Sequence, residues 1–281
     1  MTGCSTASSP TRAVHSRIAL ACGALSLILV AGAARAAPRV YSLDQCADQY
    51  VLALSPREAI VGLSKRADDA DAYLRSDSRG LPLRRASTEA VLAARPDVVV
   101  RYWGGDQRLA QTLAKRGVRV IRVNDANDFN GVRENIRAVA GALGRPESGE
   151  RLIARMDGRL AASRGAWAGA GALYYTPGGY TAGGGTLIDA MLRAAGLSNL
   201  AGGVGFQPVP LERLALHQPA AIVRGFFDNF VDAFQHWSPG RHGVAERMAR
   251  GRTIVSLPGS ILGCPAWFAA DGSLALARAR R

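Results

Sequence analysis

Lysine is almost missing from this chain: Lys65 and Lys115 are the only two among 35 basic residues, set against 22 acids, so arginine carries the formal charge of +13. The arginines stand singly, and no basic run is interleaved with aromatics, which argues against a nucleic-acid partner. Histidine is scarce too, with four in 281 residues. No Cys-x-x-Cys, His-Glu-x-x-His or Gly-x-Ser-x-Gly occurs, so the usual signatures of zinc sites and of serine hydrolases are absent. His236 and His242 flank the turn-like Trp237-Ser-Pro-Gly-Arg241 and read as a surface pair rather than metal ligands. No catalytic group, no resident metal and no cofactor is expected. Disorder is excluded as well, because 48% of the residues are hydrophobic and only 20% are charged.

Acid is lacking altogether from the first 36 residues. Arg12 and Arg17 precede an apolar or small stretch from Ile18 to Ala34, and Ala34-Arg35-Ala36 supplies a small-x-small cleavage site. The expectation is a secretory signal peptide cut after Ala36, with a retained anchor as the alternative. Removing it takes three arginines and leaves +10 over residues 37–281. Two cysteines, Cys46 and Cys264, remain in that part of the chain. An oxidising compartment permits a disulfide between them, and their distance cannot be read from sequence.

What is present is an alternation of short apolar runs and amphipathic segments. Arg39–Leu43, Ala59–Leu63, Asp97–Arg101 and Val118–Val123 read as strands. Helices lie between them: Asp44 caps one through Leu54, Ser87 or Thr88 caps Glu89–Ala94, and Asp106–Arg116 ends at Gly117. Such alternation predicts a parallel sheet covered on both faces. From Asp128 the apolar period becomes helical, and a long helix from Pro146 to Ser163 buries Leu152, Ile153, Met156 and Leu160. The strand-helix pattern then resumes with Ala172–Thr176, a helix from Thr186 to Ala195, a short helix Leu211–Leu216, the strand Ala220–Arg224, the helix Val244–Arg250, the strand Thr253–Leu257 and a final helix Phe268–Arg280. The predicted organisation is a leader (1–36), an N-terminal α/β lobe (37–127), a helical connection (128–168) and a C-terminal α/β lobe (169–281).

Two features could touch a ligand. The loop Pro177-Gly-Gly-Tyr-Thr-Ala-Gly-Gly-Gly-Thr186 runs into a helix capped by Thr186, with Asp189 at the capping-box position. Free amides and a helix N-terminus there would favour an anionic group. A tight turn without a ligand is the competing reading, and Tyr180 inside the loop favours contact. Aromatics also gather after strands: Tyr102 and Trp103, then Phe226, Phe227 and Phe230, with Trp267 following Cys264. In open α/β sheets the carboxyl ends of the strands border the ligand crevice, so these clusters predict one cleft shared by two lobes.

On these residues the chain resembles the periplasmic substrate-binding proteins of ABC importers for metal chelates, most closely the vitamin B12-binding type with its siderophore- and haem-binding relatives. The most specific stretch is Glu89-Ala-Val-Leu-Ala-Ala-Arg-Pro-Asp-Val-Val-Val100, continued by Tyr102-Trp103-Gly104-Gly105 and echoed in Leu211-Glu-Arg-Leu-Ala-Leu-His-Gln-Pro-Ala-Ala-Ile-Val223. The resemblance implies an α/β fold of two Rossmann-like lobes joined by one long helix, a monomer that binds a metal-chelate small molecule in the periplasm, and an ABC permease as partner. It implies that Glu89 and Glu212 dock on that permease. Asp44, Cys46, Tyr102, Trp103, Tyr180, Phe206, Phe226, Cys264 and Trp267 form the expected ligand-binding set. Cys46 stands where the B12-binding type has a small or polar residue, and Tyr102 and Phe206 stand where it has tryptophans, so a corrinoid, a ferric siderophore or haem is the expected class. Three fates compete for the two cysteines: inert small hydrophobes, a disulfide, or thiols that contact the ligand. The disulfide ranks last, because a bridge across a cleft hinders opening. A secreted α/β enzyme using the same cleft is the alternative function.

Overall fold

A computed structural model describes residues 36–209, 218–225 and 243–280. Its first sheet is assembled from β1 (Val40–Ser42), β2 (Ile60–Ser64), β3 (Leu83–Arg84), β4 (Val98–Arg101) and β5 (Arg119–Arg122), all parallel, in the order β3-β2-β1-β4-β5. Val98, Val99 and Val100 are buried without alternation, as a central strand covered on both faces requires. Helix α1 (Gln45–Leu54) packs over β1, β2 and β4 on one face. Helices α2 (Thr88–Ala94) and α3 (Gln107–Lys115) cover the other, where Val91, Leu109 and Leu113 meet Tyr41 and Val99.

The chain then leaves the sheet through α4 (Phe129–Ala142) and α5 (Pro146–Ser163). Pro146 opens α5, where its missing N–H costs nothing. Leu152, Ile153, Met156 and Leu160 form the buried face that the helical period predicts.

A second parallel sheet follows, built from β6 (Gly171–Tyr175), β8 (Ser198–Asn199), β10 (Ala221–Gly225) and β11 (Thr253–Leu257) in the order β11-β10-β6-β8. It is flanked by α6 (Leu187–Ala194), α7 (Gly243–Ala249), the short α8 (Gly259–Leu262) and α9 (Ala269–Arg278). Helix α9 packs on α5 and α6.

The two sheets share one core. Tyr50, Val98 and Val100 from the first half lie in the same buried cluster as Tyr174, Val223, Phe268 and Leu276 from the second. The junction is pinned by side chains as well. Tyr50 donates its hydroxyl to the Pro265 carbonyl, and its ring meets Trp267 edge-on with centroids 5.5 Å apart. Tyr73 stacks on Phe268 at 4.4 Å and donates to Asp271, whose other oxygen pairs with Arg159 of α5.

One element corrects the sequence reading. Part of the predicted glycine loop is a strand, β7 (Tyr180–Ala182), paired antiparallel with β9 (Phe206–Pro208) into a two-stranded ribbon beyond the end of β6. The predicted helix Leu211–Leu216 lies outside the described residues.

Candidate functional site

Each sheet has one point where the strand order reverses direction: between β1 and β4 in the first, and between β6 and β10 in the second. Chains leaving such a point diverge to opposite faces and open a crevice at the carboxyl ends of the strands.

At the first point stands Asp44. It caps α1 by accepting the Ala47 N–H at 3.0 Å on Oδ1, while Oδ2 accepts the N–H groups of Tyr102 and Gly104 at 2.7 and 2.8 Å. The carboxylate is 1% exposed and already has three partners, so Asp44 is an anchor rather than the ligand contact expected from sequence. It holds the loop after β4 against the loop after β1. Gly104 makes that approach possible, since a Cβ there would fall 2.4 Å from the Leu43 carbonyl oxygen. Between the two anchored amides, Trp103 projects outward with 54% of its surface exposed. Tyr102 is half-buried and donates its hydroxyl to the Asp125 carboxylate. Burial, then the neighbouring Asp125 charge, push that phenol well above its ordinary range, so it serves as a neutral donor.

The second point carries the ribbon. Tyr180 lies opposite Pro208 and Ala182 opposite Phe206, so Tyr180 and Phe206 are diagonal neighbours on one face. They are 49% and 64% exposed, and Val204 beside them is exposed too. Two of the loop's amides are engaged within the ribbon: Gly183 donates to Gly205 and Gly184 to Gly203, at 2.8 and 3.0 Å. Thr186 caps α6 through the Asp189 N–H, as predicted. The Asp189 carboxylate does not return to the cap but holds Arg193 and Asn199. Part of the glycine loop is therefore a hydrogen-bonded ribbon that displays aromatics.

Three further expectations are corrected. Cys46 and Cys264 are joined in a disulfide, with Cα atoms 5.4 Å apart. Both are buried, beside Tyr50 and Trp267, so neither thiol is free to meet a ligand. The bond joins α1 to the segment after α8 within a packed seam, so it does not span an open cleft. Trp267 is 4% exposed between Tyr50 and Phe268, which makes it a core residue rather than a cleft wall.

Glu89 is exposed in the first turn of α2, where Ser87 supplies the cap; its own backbone N–H first, and the Ser87 hydroxyl second, hold the carboxyl below its usual range. Glu212, Phe226, Phe227 and Phe230 lie outside the described residues. Among the described residues, no cluster of His, Cys, Asp and Glu is placed to hold a metal. Sequence reasoning missed Asp125, whose role depends on a tyrosine 23 residues away.

Residues 40–227 match the profile of the periplasmic binding proteins. The chain belongs to this family. Its members are binding proteins of importers rather than enzymes, so the alternative of a secreted enzyme finds no support. A curated relative, a cobalamin-binding protein of Halobacterium salinarum, is 28% identical over 210 residues, covering 69% of this chain. The chain spans about half the length of that relative, 56% of it. Among solved structures, the periplasmic heme-binding protein RhuT from Roseiflexus sp. RS-1 in apo form has a TM-score of 0.67 and 26% identity, covering 87% of this chain and 100% of that one. A periplasmic heme-binding protein from Pseudomonas aeruginosa gives 0.62 and 26%, over 86% and 92% of the two chains. The fold is thus the two-lobed α/β fold of the metal-chelate binding proteins.

Proposed function

We propose that this protein captures a metal chelate outside the cytoplasmic membrane and delivers it to an ABC permease. The ligand is of the corrinoid, ferric siderophore or haem class, and its metal travels as cargo rather than as a cofactor of the protein. One observation carries the reading: Trp103 at one sheet's reversal point, and Tyr180 with Phe206 at the other's, expose aromatic faces where an open α/β sheet receives ligands. Relatives that bind cobalamin and haem support it. Phe226, outside the described residues, remains a proposed ligand contact from the sequence. Residues 1–36 act as a leader removed after Ala36, the released protein is a monomer, and Glu89 and Glu212 dock on the permease.

The test is titration of the chain from Ala37 with hemin, cyanocobalamin and a ferric hydroxamate, followed by tryptophan fluorescence and thermal shift. One of the three is expected to quench the Trp103 emission saturably and to raise the melting temperature. Saturable binding that survives replacement of Trp103, Tyr180 and Phe206 together by serine would place the ligand elsewhere.

A further inference from the structure

A second concavity lies away from both reversal points, where α5 ends beside the last turns of α9. It has a volume of about 340 Å³, and Ala162, Gly165, Leu274 and Ala277 are among the residues that line it. Its rim carries three guanidinium groups, those of Arg164, Arg278 and Arg280.

Six of the described arginines are paired with carboxylates. Arg66, Arg133, Arg137, Arg151, Arg159 and Arg193 all meet carboxylates within 4 Å. Among the described residues, none of the three rim arginines has a carboxylate partner or donates a side-chain hydrogen bond. Their placement at two helix ends would ordinarily be explained as capping of the last carbonyls. Here four of those carbonyls have other donors: Trp167 Nε1 bonds to the Leu276 oxygen at 2.8 Å, and the amides of Ala279, Arg280 and Arg164 bond to Ala275, Ala277 and Ala161. Trp167 is buried, and Arg280 lies over its ring at 5.2 Å from the centroid, which holds that guanidinium in place. One cation is therefore held by an aromatic base, while two without a carboxylate partner among the described residues share its rim.

We infer that this concavity is an anion site for a phosphate group, separate from the chelate-binding surface. Guanidinium forks match phosphate oxygens in pairs. A free phosphate compound and the headgroup of an anionic phospholipid share this chemistry.

The experiment uses the chain from Ala37 and the variant Arg164→Ser/Arg278→Ser. A control, Arg108→Ser/Arg116→Ser, removes equal charge from exposed positions on and just after α3. Inorganic phosphate and glycerol 3-phosphate are titrated by calorimetry, and flotation is measured with phosphatidylglycerol and phosphatidylcholine vesicles. Saturable binding of the free phosphates, weakened roughly tenfold or more in the rim variant and unchanged in the control, supports a soluble ligand. Flotation with phosphatidylglycerol vesicles that only the rim variant loses supports the headgroup. Equal weakening in rim and control variants would reduce the effect to net charge and overturn the site, as would no saturable binding in either arm. Thermal melts of both variants confirm folding, and Arg164→Lys, which keeps the charge without the fork, is expected to bind phosphate more weakly than the parent.

Discussion

Asp44 and Gly104 are joined by a 2.8 Å hydrogen bond across 60 residues of sequence, and the same carboxylate oxygen also holds Tyr102. The Trp103 loop therefore hangs from the residue that starts α1. Asp44→Ala removes a helix cap and strands two amides, which is expected to cost about 2 to 4 kcal/mol in urea unfolding. Asp44→Asn keeps one acceptor oxygen and should fall between. If Asp44 instead contacted ligand directly, Asp44→Ala would weaken binding with stability unchanged.

Cys46 and Cys264 are expected to resist thiol labelling in the unfolded, unreduced chain from Ala37, and to label fully once a reductant is added. The bridge closes a loop of 218 residues. Replacing both by serine should lower stability by up to about 5 kcal/mol on the loop-entropy account, read from denaturant midpoints.

Trp103 and Trp267 should separate cleanly. Trp103→Leu, at an exposed site, is expected to change stability by less than about 0.5 kcal/mol and to abolish ligand-induced quenching. Trp267→Leu, in the core, should cost about 3 kcal/mol and leave the fractional quench intact. The opposite assignment of effects would reverse their roles.

Asp48 gives the fold a pH slope. Burial is the largest influence on its carboxyl and, despite hydrogen bonds from Ser64, lifts it from 3.8 to about 6. The fold thus favours the protonated form. Its stabilising contribution is full below about pH 4 and is lost as pH rises through about 6. The parent should gain melting temperature between pH 7 and pH 5 from this group, and Asp48→Asn should flatten that rise.

Glu89 bears on docking. Charge reversal at Glu89 and Glu212 together is expected to leave ligand affinity unchanged while abolishing uptake in cells, since rim charges govern encounter more than a distant site. Equal loss of affinity in the purified double variant would sink the docking role.

Much of the architecture was legible because it is local. The caps at Asp44, Ser87 and Thr186 announce their helices, and the α5 period shows its buried face directly. The site was legible only as a location, the carboxyl ends of strands. Which aromatic there faces solvent depends on partners far along the chain: Trp267 looks like Trp103 until Tyr50 covers it. The capping oxygen of Asp44 could be foreseen, but not the second oxygen, whose donors lie 58 and 60 residues away. The ribbon of β7 and β9 escaped notice for a related reason, because Phe206–Pro208 carries no alternation and its pairing crosses a glycine-rich interval.

The seam around Cys264 also orders events in time. Cys46, Tyr50 and Tyr73 belong to the first half of the chain, yet their partners Cys264, Pro265 and Asp271 follow 218, 215 and 198 residues later. As the polypeptide emerges from its amino end, α1 can pack on β1, β2 and β4, but Cys46 and Tyr50 lack these later partners until nearly all of the chain has been made. The seam closes only when both halves are present.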